Sequence, residues 1–206
     1  MKPSDPCALL LESTLELIGS LEPDLPPAFR GARLDAPRDS PPRLGAASRS
    51  LPVLRVLERL VAPAQPVHRG LLERFQGAAL ELDWRQSYGE DLVERAFLEN
   101  YAWTELIGPR TGAARGELAV GLLLLGPDTC YPPHRHEAEE VYVPVSGAAD
   151  WSRGVGPWAR RAPGDLIHHD REEIHAMRTT ADPLLALYLW RSRDLSQRAS
   201  LVRSVA

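Results

Sequence analysis

The stretch Thr129–Gly147, TCYPPHRHEAEEVYVPVSG, decides the reading of this chain. His134, His136, Glu140 and Tyr142 share one parity. Side chains alternate across a strand, and a tight turn of even length keeps that facing from one strand to the next. Two imidazoles, a carboxylate and a phenol are therefore expected to point into one cavity, with Glu139 facing away and Glu137 in the turn. Imidazole nitrogen with anionic oxygen suits Fe(II), Mn(II), Ni(II) or Zn(II) rather than calcium. A third imidazole is expected from His175, at the end of PGDLIHHDREEIH, where the chain has room to run through a strand after the turn at Pro163–Asp165 and return.

Around this stretch, YAWTELIG (101–108), ELAVGLLLLG (117–126), EEVYVPVSG (139–147), AADWSRG (148–154), GDLIHH (164–169) and LLALYLWR (184–191) are short, apolar or rich in β-formers, and punctuated by Gly, Pro and Asp. Such spacing predicts an all-β barrel or sandwich. Upstream the period changes. Leu11, Leu15 and Ile18, with Leu10, Leu17 and Leu21 beside them, predict an amphipathic helix over 5–21. Helical patterning returns in SLPVLRVLERLVAP (50–63), HRGLLERFQGAALEL (68–82) and, more weakly, GEDLVERAFLEN (89–100). Between them, residues 22–45 carry six of the 19 prolines and predict an irregular connector. The expected organisation is a helical region over 1–99 packed on a barrel over 100–194, with 195–206 as a tail.

Composition excludes several functions. With 206 residues, 44% apolar and 25% charged, the chain is of a size and mixture to fold as one globular unit. A net charge of −4 gives no footprint for nucleic acid or an anionic membrane surface. The longest apolar run, Leu118–Gly126, is too short to span a bilayer. Cys7 and Cys130 alone imply no disulfide framework, and the N-terminus lacks the pattern of a signal peptide, so a cytoplasmic protein is expected. Lys2 is the only lysine, which removes Schiff-base chemistry and a Walker-type phosphate loop. Gly154, Gly156 and Ala159 match GxGxxA, but Pro157 and the absence of a predicted helix argue against a dinucleotide site. His68 reads as a surface or hydrogen-bonded imidazole, and Glu172 and Glu173 as solvated turn residues.

HRHEAEEVYVPVSG resembles the first motif of the cupin superfamily, HxH, three residues, Glu, six residues, Gly, ending at Gly147. PGDLIHHDREEIH is similar to the second, with Asp170 where a proline is usual. The upstream Gly126 is two residues further from His134 than the motif has it. The resemblance implies a mainly β fold, a cupin (double-stranded β-helix, or jelly-roll) barrel, and one divalent metal per chain on His134, His136, Glu140 and His175. Tyr142, Tyr131 just before PPHRH, Trp190 after the last strand and the helical N-terminal half further resemble the dimethylsulfoniopropionate lyases of the DddQ type.

That resemblance implies β-elimination of a sulfonium carboxylate to dimethyl sulfide and acrylate. A base would have to reach the weakly acidic carbon next to the carboxylate. Tyr142 is the first candidate, since a nearby cation favours phenolate over a phenol of pKa about 10; Tyr131 is the second. Trp190, Tyr188 and Trp103 are candidates for an aromatic cage around the sulfonium. The partner expected is this small molecule, with a homodimer compatible. Two other functions fit the same donors: an Fe(II) dioxygenase acting on a small organic acid, and a non-catalytic ligand-binding cupin.

Overall fold

The computed structural model describes residues 5–31, 51–111, 117–154 and 156–202. The proline-rich connector predicted over 22–45 falls outside the described residues from 32 onward.

Helix α1 (Pro6–Leu21) starts at a side-chain cap, the Asp5 carboxylate accepting from the Cys7 amide at 2.9 Å, with Pro6 in the first turn where its missing N–H costs nothing. The stretch predicted as a helix over 50–63 is instead a 3-10 helix, Pro52–Arg59. Its buried residues, Val53 and Val56, are three apart, which matches three residues per turn. Helix α2 (Pro66–Ala78) buries Leu71, Leu72 and Phe75 and packs against α1. Helix α3 is a single turn, Arg95–Leu98, much shorter than the weak pattern over 89–100 suggested.

Ten strands follow among the described residues: β1 (Tyr101–Ile107), β2 (Leu118–Leu125), β3 (Cys130–Arg135), β4 (Glu139–Ser146), β5 (Ala149–Arg153), β6 (Ala159–Arg161), β7 (Ile167–His169), β8 (His175–Thr179), β9 (Leu184–Arg191) and β10 (Ser200–Leu201). They form two five-stranded antiparallel sheets, β1-β2-β9-β4-β7 and β10-β3-β8-β5-β6, the jelly-roll arrangement of a cupin barrel. The segment set apart as a tail supplies β10, which pairs Ser200 with Arg135 and Leu201 with His134. Gly154 and Gly156 sit in the β5–β6 connection, with strand rather than helix after them.

Alternation sorts the first sheet into two faces. Val120, Leu122 and Leu124 of β2, Val141, Val143 and Val145 of β4, and Leu185, Leu187 and Leu189 of β9 join Leu10, Leu17 and Phe75 in the core beneath the helices. Each such side chain contributes about 1.5–3 kcal/mol at most. The opposite parity, including Leu123, Tyr142, Ala186 and Tyr188, faces the second sheet and meets Tyr131, Trp151 and Met177. Burial on both faces is why LAVGLLLL reads as an unbroken apolar run. The helices thus cover one side of the first sheet and leave the space between the sheets for chemistry.

Candidate metal centre and cavity

His134 lies on β3 directly opposite His175 on β8, His136 follows the end of β3, and Glu140 opens the inward face of β4. One nitrogen from each of His134, His136 and His175 lies within 4.8 Å of the others, and all three residues are buried. Each ring is fixed from behind through Nδ1. His134 Nδ1 is 2.9 Å from the Pro132 carbonyl, His136 Nδ1 2.8 Å from Ala138, and His175 Nδ1 2.9 Å from Glu173. A carbonyl only accepts, so Nδ1 carries the proton and Nε2 presents a lone pair.

Two of those lone-pair nitrogens face one carboxylate oxygen. Glu140 Oε2 is 3.0 Å from His136 Nε2 and 3.3 Å from His175 Nε2. Acceptor facing acceptor in a buried site is unfavourable unless a cation sits between them or one ring takes a second proton. Among the described residues His175 Nε2 has no hydrogen-bond partner, as expected of a nitrogen that would bind a metal. This donor set fits a divalent metal ion, with outer contacts that fix ring orientation and tautomer.

Electrostatics reflect the same crowding. Burial alone would raise the Glu140 carboxyl, but His136 and His175 hold it well below the usual carboxylate range. Burial and His175 push His134 far down, whereas at His136 the Glu140 charge overcomes burial and raises it. His169, inward on β7 opposite Glu140, stacks on His175 with centroids 4.0 Å apart and is pushed down to about 2, by burial first and then by His175.

The site opens into a cavity of about 440 Å³ between the sheets, and His134, Glu140, Tyr131, Tyr142, Tyr188 and Trp190 line it, with Trp103. All the sequence-nominated residues except His136 and His175, which lie behind, are in its wall. Glu139 faces away as its parity requires, 2.8 Å from His168. Tyr131 stacks flat on His134, centroids 4.0 Å apart, and its hydroxyl lies 3.1 Å from Tyr88 and 3.4 Å from Tyr101. Burial raises Tyr131 and Tyr142 well above the usual phenol value, with Tyr101 the next cause for the first and Glu140 for the second; burial takes Tyr101 to about 12.

The three nominated cage aromatics each hold a separate partner. Trp190 donates its indole N–H to Glu140 Oε1 at 2.5 Å and lies 4.4 Å from His136, so it orients the carboxylate. Tyr188 donates to the Thr104 carbonyl at 3.2 Å, and the Trp103 ring carries the Arg110 guanidinium 5.1 Å from its centroid. Sequence reasoning missed Tyr88, Tyr101, Glu105 and Arg110, all in the cavity wall. Tyr101 and Glu105 share the parity of Trp103 on β1 and were findable; Tyr88 lies in a loop with no period. Glu173 is more than a solvated turn residue, for its carbonyl orients His175 and its carboxylate binds Arg153 at 2.9 Å. Glu172 pairs with Arg135 at 3.4 Å, and its amide donates to the His136 carbonyl at 2.8 Å.

A jelly-roll barrel holding three carbonyl-anchored imidazoles and a carboxylate at a cavity between its sheets defines a cupin-class protein with a metal-binding donor set. Residues 30–186 match the family model described as dimethylsulfoniopropionate lyase, and the chain belongs to that family. It is 32% identical over 124 residues to the dimethylsulfoniopropionate lyase DddQ of Ruegeria pomeroyi, covering 60% of this chain and 62% of the relative. It is 36% identical over 125 residues to a putative dimethylsulfoniopropionate lyase DddL of Cereibacter sphaeroides, covering 59% and 51%. The chain therefore spans less than two thirds of these curated relatives. A solved chain from a study of the DMSP lyases RdDddP and RnDddQII superposes with a TM-score of 0.79 at 29% identity, over 96% of this chain and 98% of that one. The crystal structure of DddQ from Ruegeria pomeroyi gives 0.76 at 27% identity, over 94% and 96%.

Proposed function

We propose that this protein is a metal-dependent carbon–sulfur lyase that cleaves dimethylsulfoniopropionate to dimethyl sulfide and acrylate. The observation that carries the reading is the convergence of His136 and His175 with His134 and Glu140, the last two in the wall of a cavity also lined by Tyr131, in a chain of this family. One divalent transition metal held by those four residues supplies Lewis acidity toward the substrate carboxylate and positive charge that favours a phenolate.

The chain's own groups do the rest. A base removes a proton from the carbon next to the carboxylate, the electron pair forms the carbon–carbon double bond, and the carbon–sulfur bond breaks with its pair leaving on dimethyl sulfide. Tyr131 is favoured as that base, ahead of Tyr142, because Tyr88 and Tyr101 oppose its phenolate only when they are themselves ionised, which burial disfavours, and as neutral phenols they can turn to donate to its oxygen as negative charge develops. At Tyr142 burial and then the Glu140 charge oppose the phenolate in the absence of a compensating cation. Ring stacking on His134 holds Tyr131 against the metal end of the cavity.

Headspace dimethyl sulfide from purified protein loaded in turn with Fe(II), Mn(II), Zn(II) or Ni(II) tests the reading. Tyr131→Phe is expected to lower the rate about 10²–10⁴-fold. Background release with every metal sinks the substrate assignment, and oxygen uptake with a small organic acid would then favour a dioxygenase. Full rate in Tyr131→Phe with loss in Tyr142→Phe reverses the choice of base.

A further inference from the structure

We infer that Glu105 and the face of Trp103 form the seat for the cationic end of the substrate, and that the Arg110 guanidinium occupies this seat when the cavity is empty. The inference rests on the elimination proposed above and adds the residues that would select a sulfonium zwitterion over other carboxylates.

Tyr101, Trp103 and Glu105 alternate along β1 and all face the cavity. Glu105 is only 5% exposed, and a carboxylate this buried requires compensation. Its partners among the described residues both come from Arg110: the backbone N–H donates to Oε1 at 2.6 Å and Nη1 to Oε2 at 3.0 Å. The same guanidinium lies over Trp103, 5.1 Å from the ring centroid. A cation is thus held between a carboxylate and an aromatic face, the two contacts that attract a sulfonium.

The carboxylate is fixed independently of that cation. The β1–β2 turn passes so close beneath it that a Cβ on Gly108 would collide with the Glu105 carboxylate, and the Arg110 N–H stays in place if its side chain leaves. The Arg110 side chain is 27% exposed, against 3% for Glu105, so the guanidinium can swing into water while the anion stays buried. A rigid anion with a removable resident cation is a pre-organised cation site.

Its place in the barrel suits a short zwitterion. Glu105, Gly121, Tyr188 and Tyr142 are in register across β1, β2, β9 and β4, and Glu140 is one inward position from Tyr142. Three strand spacings, about 14 Å, separate the Glu105 and Tyr142 backbones, and side chains from both ends narrow the gap. Gly121 has no side chain, and the Tyr188 hydroxyl lies over it. A carboxylate at the metal end would leave the sulfonium directed at Glu105 and Trp103.

The chemistry gives a kinetic signature. The sulfonium loses its charge as the carbon–sulfur bond breaks, so attraction to Glu105 is stronger in the ground state than in the transition state. Removing it raises KM without lowering kcat; damage to a structural ion pair lowers kcat as well.

The test uses the full-length metal-loaded protein, dimethylsulfoniopropionate as substrate and 4-methylpentanoate, in which CH replaces the sulfonium sulfur, as a competitive inhibitor. Glu105→Gln is expected to raise KM about tenfold, leave kcat equal or higher, and leave the inhibitor's Ki within about twofold. Arg110→Met, which removes the competing cation, is expected to lower KM with Ki unchanged. KM and Ki rising together in Glu105→Gln, or KM unmoved in both variants, overturns the seat. Should Glu105→Gln fail to fold, an Arg110→Met protein whose KM-to-Ki ratio equals wild type overturns it alone. Should wild type release no dimethyl sulfide, the activity is wrong, and the seat is judged by calorimetry: equal binding of the two compounds to wild type overturns it too.

Discussion

The two ends of the cavity are built in different ways. At the metal end every imidazole is anchored to a carbonyl two residues away in sequence, at Pro132, Ala138 and Glu173. At the opposite wall the contacts join distant segments. Tyr88 reaches Tyr131 across 43 residues, the Gln86 side-chain amide donates to the carbonyls of Leu98 and Tyr101 at 2.5 and 2.8 Å, and the backbones of Arg85 and Trp103 bridge. The contrast shows where each kind of precision comes from. Ligand geometry is set by strand ends and short turns, whereas the shape facing the substrate depends on the 83–101 segment being docked correctly on the barrel.

His175→Ala breaks the metal end and carries the largest expected effect. Losing an outer-shell partner costs about 10–100-fold in metal affinity, so losing a donor costs more than about 100-fold. Metal content measured after dialysis should fall to background, and dimethyl sulfide release with it. The opposite wall does not use His175, so the far-ultraviolet circular dichroism spectrum should match wild type. Retention of a full metal complement would remove His175 from the donor set.

The same difference in construction explains what could be read without coordinates. Parity along 134, 136, 140 and 142 carried the inward face because a strand has a period of two, and the PGD turn at Pro163–Asp165 is a local signal, with Gly164 at φ +95°. The register of β3 was not legible, since Pro132 and Pro133 interrupt its ladder with β8 between Tyr131 and His134. Two-residue β10 has no periodicity to detect, yet Leu195 beside it is buried and Gln197 and Ala199 close the cavity wall. Trp190, Tyr188 and Trp103 line the cavity, but no sequence period shows that an indole N–H goes to Glu140 or that a guanidinium covers Trp103. Tyr88 reaches the site by tertiary docking alone.

Gly121→Ala perturbs the opposite wall without touching a donor. The added methyl would strike the Thr104 carbonyl and the Tyr188 hydroxyl, and one of these, backbone of the adjacent strand, cannot move cheaply. Overpacking of this kind costs about 1–3 kcal/mol. The melting temperature should fall and KM rise while metal content stays at the wild-type level. A drop in metal content as large as that of His175→Ala would mean that the two ends are mechanically coupled rather than separately built.

The smallest effect lies outside the cavity, at His68 on α2, and sharpens the comparison by testing a buried imidazole with no metal to serve. Contrary to the surface or hydrogen-bonded reading, His68 is 4% exposed, and neither ring nitrogen has a hydrogen-bond partner among the described residues. Burial lowers its pKa from the ordinary 6.5, so the folded protein holds it neutral where the unfolded chain takes up a proton. The sign follows from linkage: its contribution is fully present above pH 6.5 and is lost as the pH falls through and below that value, by less than about 1.4 kcal/mol per pH unit. Loss of metal would itself change stability, so wild type and His68→Leu are to be compared with metal bound. Leucine keeps the apolar packing and removes both unpaired nitrogens, so the variant should match or exceed wild type in denaturant midpoint at pH 8 and gain on it at pH 5.5. An equal difference at the two pH values would show that His68 ionises as freely in the folded protein as in the unfolded chain.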